Sequence, residues 1–177
     1  MSVGDAVLVR AADPDDLAAI VAVFRQCWTQ SYAVVLPKAL IARLDEPASV
    51  ELWRGVLDDS PRGSVLVAED AGEVLGVTRF RTSGTAGHVS SLYVAPSTQG
   101  RGVGRTLLTA AVAAMVDGGA VEATLWVFAA NAPSRTFYTR MGWTPDGETR
   151  VQEQFGEPEV RLRRSLPAPG RSLPAPA

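Results

Sequence analysis

The chain has 177 residues, of which 46% are hydrophobic and 20% charged, with a formal net charge of −2. That length suits one domain with a substantial core, and the balance leaves no general basic surface to hold a nucleic acid backbone. A single cysteine, Cys27, excludes an intrachain disulfide, and a single histidine, His88, argues against a zinc cluster, so no metal is expected.

The opening stretch, MSVGDAVLVR, has no basic segment followed by an apolar core, so no secretory signal is expected. No apolar run approaches the ~18 residues of a membrane span. The expectation is a soluble, cytoplasmic protein that binds neither membrane nor nucleic acid. Residues 1–87 carry 8 basic and 12 acidic groups, and the remainder 9 and 7. This asymmetry would suit a cationic ligand on one side and an anionic one on the other.

In chain order, Val7-Leu8-Val9 reads as a first strand. Asp13-Pro14-Asp15-Asp16 reads as a helix start, with Asp13 as cap, Pro14 in the first turn and acids favouring the dipole. Leu17, Ile20, Val21, Phe24 and Trp28 then follow one helical face. Cys27 beside that face reads as a small buried hydrophobe. Residues 30–37 read as a loop, 38–44 as a short helix, and 48–57 as a second helix with Val50, Trp53 and Leu57 inward. Trp28, Tyr32 and Trp53 are large enough to meet, as core or as a pocket wall.

Val65–Glu69 and Val74–Arg81 read as a hairpin turning at Asp70-Ala71-Gly72-Glu73. His88–Val94 follows as a third strand, which favours an antiparallel meander. Ala95 and Pro96 end it, and Gln99-Gly100-Arg101-Gly102-Val103-Gly104 leads into a segment with Leu107, Leu108, Ala111, Val112, Met115 and Val116 at helical period. A glycine loop that opens a helix can aim backbone N–H groups at an anion, aided by the helix dipole. A tight turn alone also accounts for the glycines. The P-loop pattern is excluded because no lysine follows; the chain's only lysine is Lys38. The dinucleotide pattern G-x-G-x-x-G fails from both Gly100 and Gly102, since Arg105 and Leu107 stand at the third glycine position.

Gly118-Gly119 stop that helix. Val121–Phe128 reads as a strand that returns parallel to 88–94 by a right-handed crossover. Asn131 or Ala132 caps a further helix with Pro133 in its first turn, Phe137, Tyr138 and Met141 along it, and Gly142 at its end. Residues 149–155 and 159–163 read as a closing strand pair. Arg164-Ser165-Leu166-Pro167-Ala168-Pro169 recurs as residues 171–176, and proline at this density forbids a regular ladder or helix. The expected division is one domain over 1–164 and a disordered, Pro-rich tail over 165–177.

This element order, with its motifs, resembles the GNAT superfamily of acyl-CoA-dependent N-acetyltransferases over residues 7 to 164. Gln99, Gly102 and Gly104 match the family's pyrophosphate signature, and Leu92-Tyr93-Val94-Ala95-Pro96 matches the usual end of the fourth strand. Asn131 and Phe137-Tyr138-Thr139-Arg140-Met141-Gly142-Trp143 match the second signature, and the hairpin from Val67 to Gly76 is also typical. The resemblance implies an α/β fold. It would have a mixed, mostly antiparallel central sheet, a central parallel strand pair splayed for coenzyme A, and helices on both faces.

It further implies transfer of an acetyl group from acetyl-CoA, as co-substrate, to a primary amine in a ternary complex. Backbone N–H groups from Gln99 through Gly100, Arg101, Gly102 and Val103 to Gly104 would cradle the pyrophosphate, with Arg101 or Arg105 adding charge. Leu92, Tyr93 and Val94 would hold the pantetheine arm and acyl carbonyl, and Asn131 and Ser134 would contact the cofactor from past the fifth strand. By the same resemblance Tyr138 is the acid that protonates the leaving thiolate. His88 stands on the fourth strand where many relatives carry an acidic residue, and would serve as the base directly or through water, or else is only a polar residue at a strand start; Glu69 and Ser91 are the runners-up. The acceptor, a small-molecule or peptide amine, would meet Trp28, Tyr32, Pro37 and Trp53. A homodimer is compatible with this scheme. The rival expectation is a regulatory acyl-CoA-binding domain that has lost catalysis.

Overall fold

Asp13 and Asp16 cap each other at the first helix start: the Asp13 carboxylate accepts the Asp15 N–H and the Asp16 carboxylate accepts the Asp13 N–H, both at 2.9 Å. The computed structural model describes residues 7–167. A 3-10 turn over Pro14–Asp16 leads into α1, Leu17–Gln26. The helix does not stop where a loop was expected. It continues as a π turn over Cys27–Ser31, in which the Tyr32 N–H reaches back to the Cys27 carbonyl at 3.0 Å. The Thr29 hydroxyl donates to the Arg25 carbonyl at 2.8 Å, the kind of side-chain competition that loosens a regular turn. Helix α2 (Lys38–Ala42) and helix α3 (Glu46–Asp59) follow, the latter capped by Asp45 accepting from the Ala48 N–H.

The strands are β1 (Leu8–Ala11), β2 (Val65–Asp70), β3 (Glu73–Ser83), β4 (Ala86–Val94), β5 (Glu122–Phe128), β6 (Thr144–Val151) and β7 (Pro158–Ser165). They form one seven-stranded sheet in the order β1-β2-β3-β4-β5-β7-β6. The sheet is mostly antiparallel, with β4 and β5 as its parallel pair. The β2–β3 hairpin turns at Ala71 and Gly72, both at positive φ, as a two-residue hairpin loop requires. Helix α4 spans Val103–Asp117 and α5 spans Ala132–Arg140. Gly119, at φ 94°, ends α4 in a Schellman motif: the Ala120 N–H reaches Met115 O and the Gly119 N–H reaches Val116 O, both at 2.9 Å.

The expected closing pair is displaced. Strand β6 starts at Thr144, not at 149, and Phe155 lies in a turn where its N–H meets the Gln152 carbonyl. Pro145 and Gly147 hid the strand. Both are tolerated because β6 is the sheet's edge, where the register slips between Pro145 and Thr149. The expected tail boundary falls inside β7, which runs to Ser165; the Leu166 N–H then bonds the Val121 carbonyl at 2.8 Å. Residues 168–177 of that tail lie outside the described residues.

The chain divides into two compact units, one of residues up to Arg79 with Ser91–Ala111, the other of Phe80–Ser90 with residues from Val112 on. In the first, Ala68, Leu75, Val103 and Leu107 form a buried cluster against which Leu66, Leu92 and Val94 pack. Gly76 is required there by close approach: a Cβ would meet the Tyr93 carbonyl and Leu107 at 2.9 Å. Tyr93, between Leu92 and Val94 on β4, turns to the opposite sheet face and meets the rings of α1 and α3. In the second unit Gly87 plays the same part, its missing Cβ leaving room for Met115 of α4.

Candidate functional site

In the first unit the loop before α4 has the conformation an anion cradle needs. Gly100 (φ 80°) and Gly102 (φ 89°) lie in the left-handed region, and both are exposed. Nothing lies within 4 Å of where a Cβ would stand, so the backbone conformation, and not packing, asks for glycine. The first helical bond of α4 runs from the Thr106 N–H to the Gly102 carbonyl at 3.0 Å. The N–H groups of Val103, Gly104 and Arg105 therefore precede any intrahelical acceptor. Together with the helix dipole they fit a pyrophosphate.

Two N–H groups of the loop already have acceptors within it. The Gln99 N–H donates to Pro96 O at 3.4 Å, and the Arg101 N–H to Thr98 O at 3.3 Å. The Gln99 side chain is likewise committed: Nε2 donates to Ser31 Oγ and to the Val94 carbonyl, both at 3.2 Å. Gln99 is a strut between the loop, the end of β4 and the π turn. Arg101 approaches Asp70 at 3.6 Å as an exposed pair, worth little by itself. Arg105 is exposed.

The expected meeting of aromatics occurs, with two additions. Trp28 and Tyr32 stack, with centroids 5.0 Å apart and planes at 16°. Trp53 joins them through Phe24 (5.9 Å) and Tyr93 (6.1 Å), neither of which was placed in this group from the sequence. Phe24, Trp28 and Tyr32 stand four residues apart, a spacing that could have revealed the stripe. Trp53 is 2% exposed and Trp28 is 5% exposed, whereas Tyr32 is half-buried, so Tyr32 is the ring of the three nearest solvent. Pro37 is exposed. Cys27 is buried as expected, its Sγ donating to the Val94 carbonyl at 3.1 Å; burial pushes its thiol up to about 11. A neutral thiol of this kind is not a nucleophile at pH 7.

In the second unit Asn131 is 7% exposed, and its Oδ1 caps α5 by accepting the Ser134 N–H at 3.2 Å. Its carbonyl side is thus used within the helix start. Tyr138, 9% exposed, sits at the other end of α5, whose closure is again a Schellman motif: the Trp143 N–H reaches the Tyr138 carbonyl and the Gly142 N–H reaches Thr139 O, both at 3.0 Å. The Tyr138 ring lies edge-on to Phe137 at 5.2 Å and to Trp143 at 6.4 Å. Helix end and ring packing together fix its position.

His88 lies on β4 directly opposite Thr124 of β5, with Nδ1 3.0 Å from Thr124 Oγ1. Burial, then the charges of Arg81, Arg150 and Arg161, push its basicity down to about 4. It is neutral at pH 7. Of the runners-up, Glu69 is held by Arg10, whose Nε and Nη2 approach Oε2 at 2.8 and 2.7 Å, so its carboxylate is engaged. Ser91 is half-buried and its carbonyl accepts from the Thr78 hydroxyl.

The family model described as the Acetyltransferase (GNAT) family matches residues 17–143, and the chain belongs to that family. It is 28% identical, over 177 residues, to the probable N-acetyltransferase Rv2775 of Mycobacterium tuberculosis, a match covering 91% of this chain and 96% of that one. Among solved structures it resembles the PaiA N-acetyltransferase of Thermoplasma acidophilum in complex with coenzyme A (TM-score 0.75, 17% identity, 91% of this chain and 99% of that one). It also resembles a ribosomal-protein-alanine N-acetyltransferase of Brucella melitensis (TM-score 0.69, 24% identity, 90% and 99%). The protein is an acyltransferase of the acetyl-transferring kind. Among the described residues no helix is long and apolar enough to cross a membrane.

Proposed function

We propose that the protein carries acetyl from acetyl-CoA to a primary amine by direct attack in a ternary complex. The observation that carries this reading is the left-handed, exposed pair Gly100 and Gly102 ahead of three N–H groups at the start of α4 that have no backbone acceptor among the described residues. Val103, Gly104 and Arg105 hold the pyrophosphate through those groups. Gln99 acts by bracing the loop. Acetyl-CoA, when bound, supplies an activated acetyl thioester.

The chain's own residues do the rest. The carbonyl of Val94 is taken by Cys27 and Gln99, so Leu92 and Val94 act on the acyl oxygen through N–H groups, an interaction worth on the order of 3 kcal/mol in a transition state. Tyr138 holds the proton that the departing thiolate needs. Asn131 and Ser134 act from the start of α5. His88 receives the amine proton in its neutral form, through Nε2 when Nδ1 is engaged by Thr124. Its lowered basicity suits passing that proton to water better than storing it. Trp28, Tyr32 and Trp53 form the acceptor's apolar wall.

The test is acetyl transfer over an amine panel, followed by free-thiol release, alongside calorimetric binding of acetyl-CoA. Binding with turnover of at least one amine supports the reading. No acetyl-CoA binding at millimolar concentration overturns it.

A further inference from the structure

The face of the sheet that carries His88 in the second unit also carries a group of arginines that the reaction scheme leaves unused. Strand alternation and register define it. Thr124 opposes His88 and Arg163, Trp126 opposes Arg161, and Phe128 opposes Glu159, which in turn opposes Arg150. All of these stand on one side of the pleat. The Trp126 ring lies under two guanidinium groups, with Arg150 at 4.2 Å and Arg161 at 5.8 Å from its centroid.

Each guanidinium is held from behind. Arg150 Nε donates to Glu159 Oε2 at 2.6 Å, and Gln152 Nε2 supports the same oxygen at 2.7 Å. Arg161 Nε donates to Asp146 Oδ2 at 2.7 Å. Glu159 is 6% exposed, so its clamp on Arg150 is set in the protein and not a surface encounter. Clamping a guanidinium through Nε orients its two Nη groups, and those of Arg150 and Arg161 have no hydrogen-bond partner among the described residues. Arg81 is exposed and has no acidic partner among the described residues. Arg81, Arg150 and Arg161 all bear on His88 in the same direction.

We propose that Arg150 and Arg161, seated on Trp126 and seconded by Arg81, form a subsite for an oxyanion of the acceptor, so that the preferred amine also carries a carboxylate or a phosphoryl-type group. The inference rests on the acetyl-transfer reading for the ligand's amine, and on the clamped arginines alone for its charge. Guanidinium Nη pairs match the two oxygens of either anion, and pre-orientation removes much of the ordering cost.

The test is equilibrium binding, without acetyl-CoA, of three probes with one spacer: β-alanine, 2-aminoethylphosphonate and the neutral β-alaninamide. Intrinsic tryptophan fluorescence and calorimetry read it. The wild type should bind one or both anionic probes at least ~10-fold more tightly than the amide, and the stronger of the two names the anion. Arg161→Gln and Arg81→Gln should each erode that preference, the first by ~10-fold. Because Arg150→Gln strands a buried Glu159, Arg150→Lys serves at that position, keeping a charge while losing the fork; it should weaken the anionic probe several-fold. Acetyl-CoA binding, measured separately, should stay unchanged in every variant, so a failure of the cofactor site is not confused with a failure here. Equal affinity for anionic and neutral probes, no binding of any of the three, or a preference that survives both Gln variants overturns the proposal.

Discussion

His88 Nδ1 lies 3.0 Å from Thr124 Oγ1 across the parallel β4–β5 pair, and burial with the charges of three arginines keeps this half-buried imidazole neutral. Folding lowers the basicity of His88 from 6.5 to about 4. The unfolded chain therefore takes up this proton first as pH falls, and the contribution of His88 to native stability is lost between pH 6.5 and about 4. Urea unfolding of wild type and His88→Gln at pH 7 and pH 5 should show the wild type losing more stability over that interval. The same shift predicts that an acidic limb of kcat/KM due to His88 lies near 4, well below the usual histidine range.

Tyr138 is held by its helix cap and by Trp143, and Tyr138→Phe retains both. Tyr138→Phe should lower kcat by ~10²-fold with acetyl-CoA affinity unchanged. A variant of unchanged turnover would remove Tyr138 from the acid's role.

Two glycines make opposite predictions for the same substitution. Gly55 lies inside α3 with nothing within 4 Å of a Cβ, so Gly55→Ala should stabilise by about 1 kcal/mol. Gly76→Ala must displace the Tyr93 carbonyl, which is backbone and cannot swing aside, and should cost about 1–3 kcal/mol. Thermal and urea unfolding of both variants checks the pair.

Arg10 bridges β1, the helix start and β2: its Nη groups reach both Asp16 oxygens at 2.7 and 2.8 Å, while Nε holds Glu69. Those bonds to Arg10 keep the Asp16 carboxyl below its usual range, so its contribution is present above pH 3.8 and is lost as pH falls further. Arg10→Met strands the Asp16 carboxylate, 8% exposed at its side chain, and should cost about 3 kcal/mol at pH 7. The loss should shrink when Asp16→Asn is combined with it.

Local chemistry made most of the elements legible. Asp13 and Asn131 act as the caps their side chains predict, Ala71-Gly72 turns the hairpin, and Gly119 and Gly142 end their helices. Each depends on a few adjacent residues. The misreadings arose where position in the sheet overrode propensity. Pro145 and Gly147 look like breakers and sit in a strand, because the edge position needs no second ladder. The π turn at Cys27–Ser31 has no compositional signature, and it brings Ser31 to Gln99.

The candidate site divides the same way. A glycine loop opening a helix was written in Gln99–Gly104, because positive φ is a local demand that only glycine meets without strain. Which of its N–H groups are available was not, since the claims of Pro96 O and Thr98 O on Gln99 and Arg101 follow from the loop's path. The type of His88 was visible; its neutrality was not, because burial and three charges from other strands set it. Sequence alone determined the backbone devices, whose physics is local. Only the tertiary structure decided which side chains are still free to act, because that depends on partners up to 68 residues away.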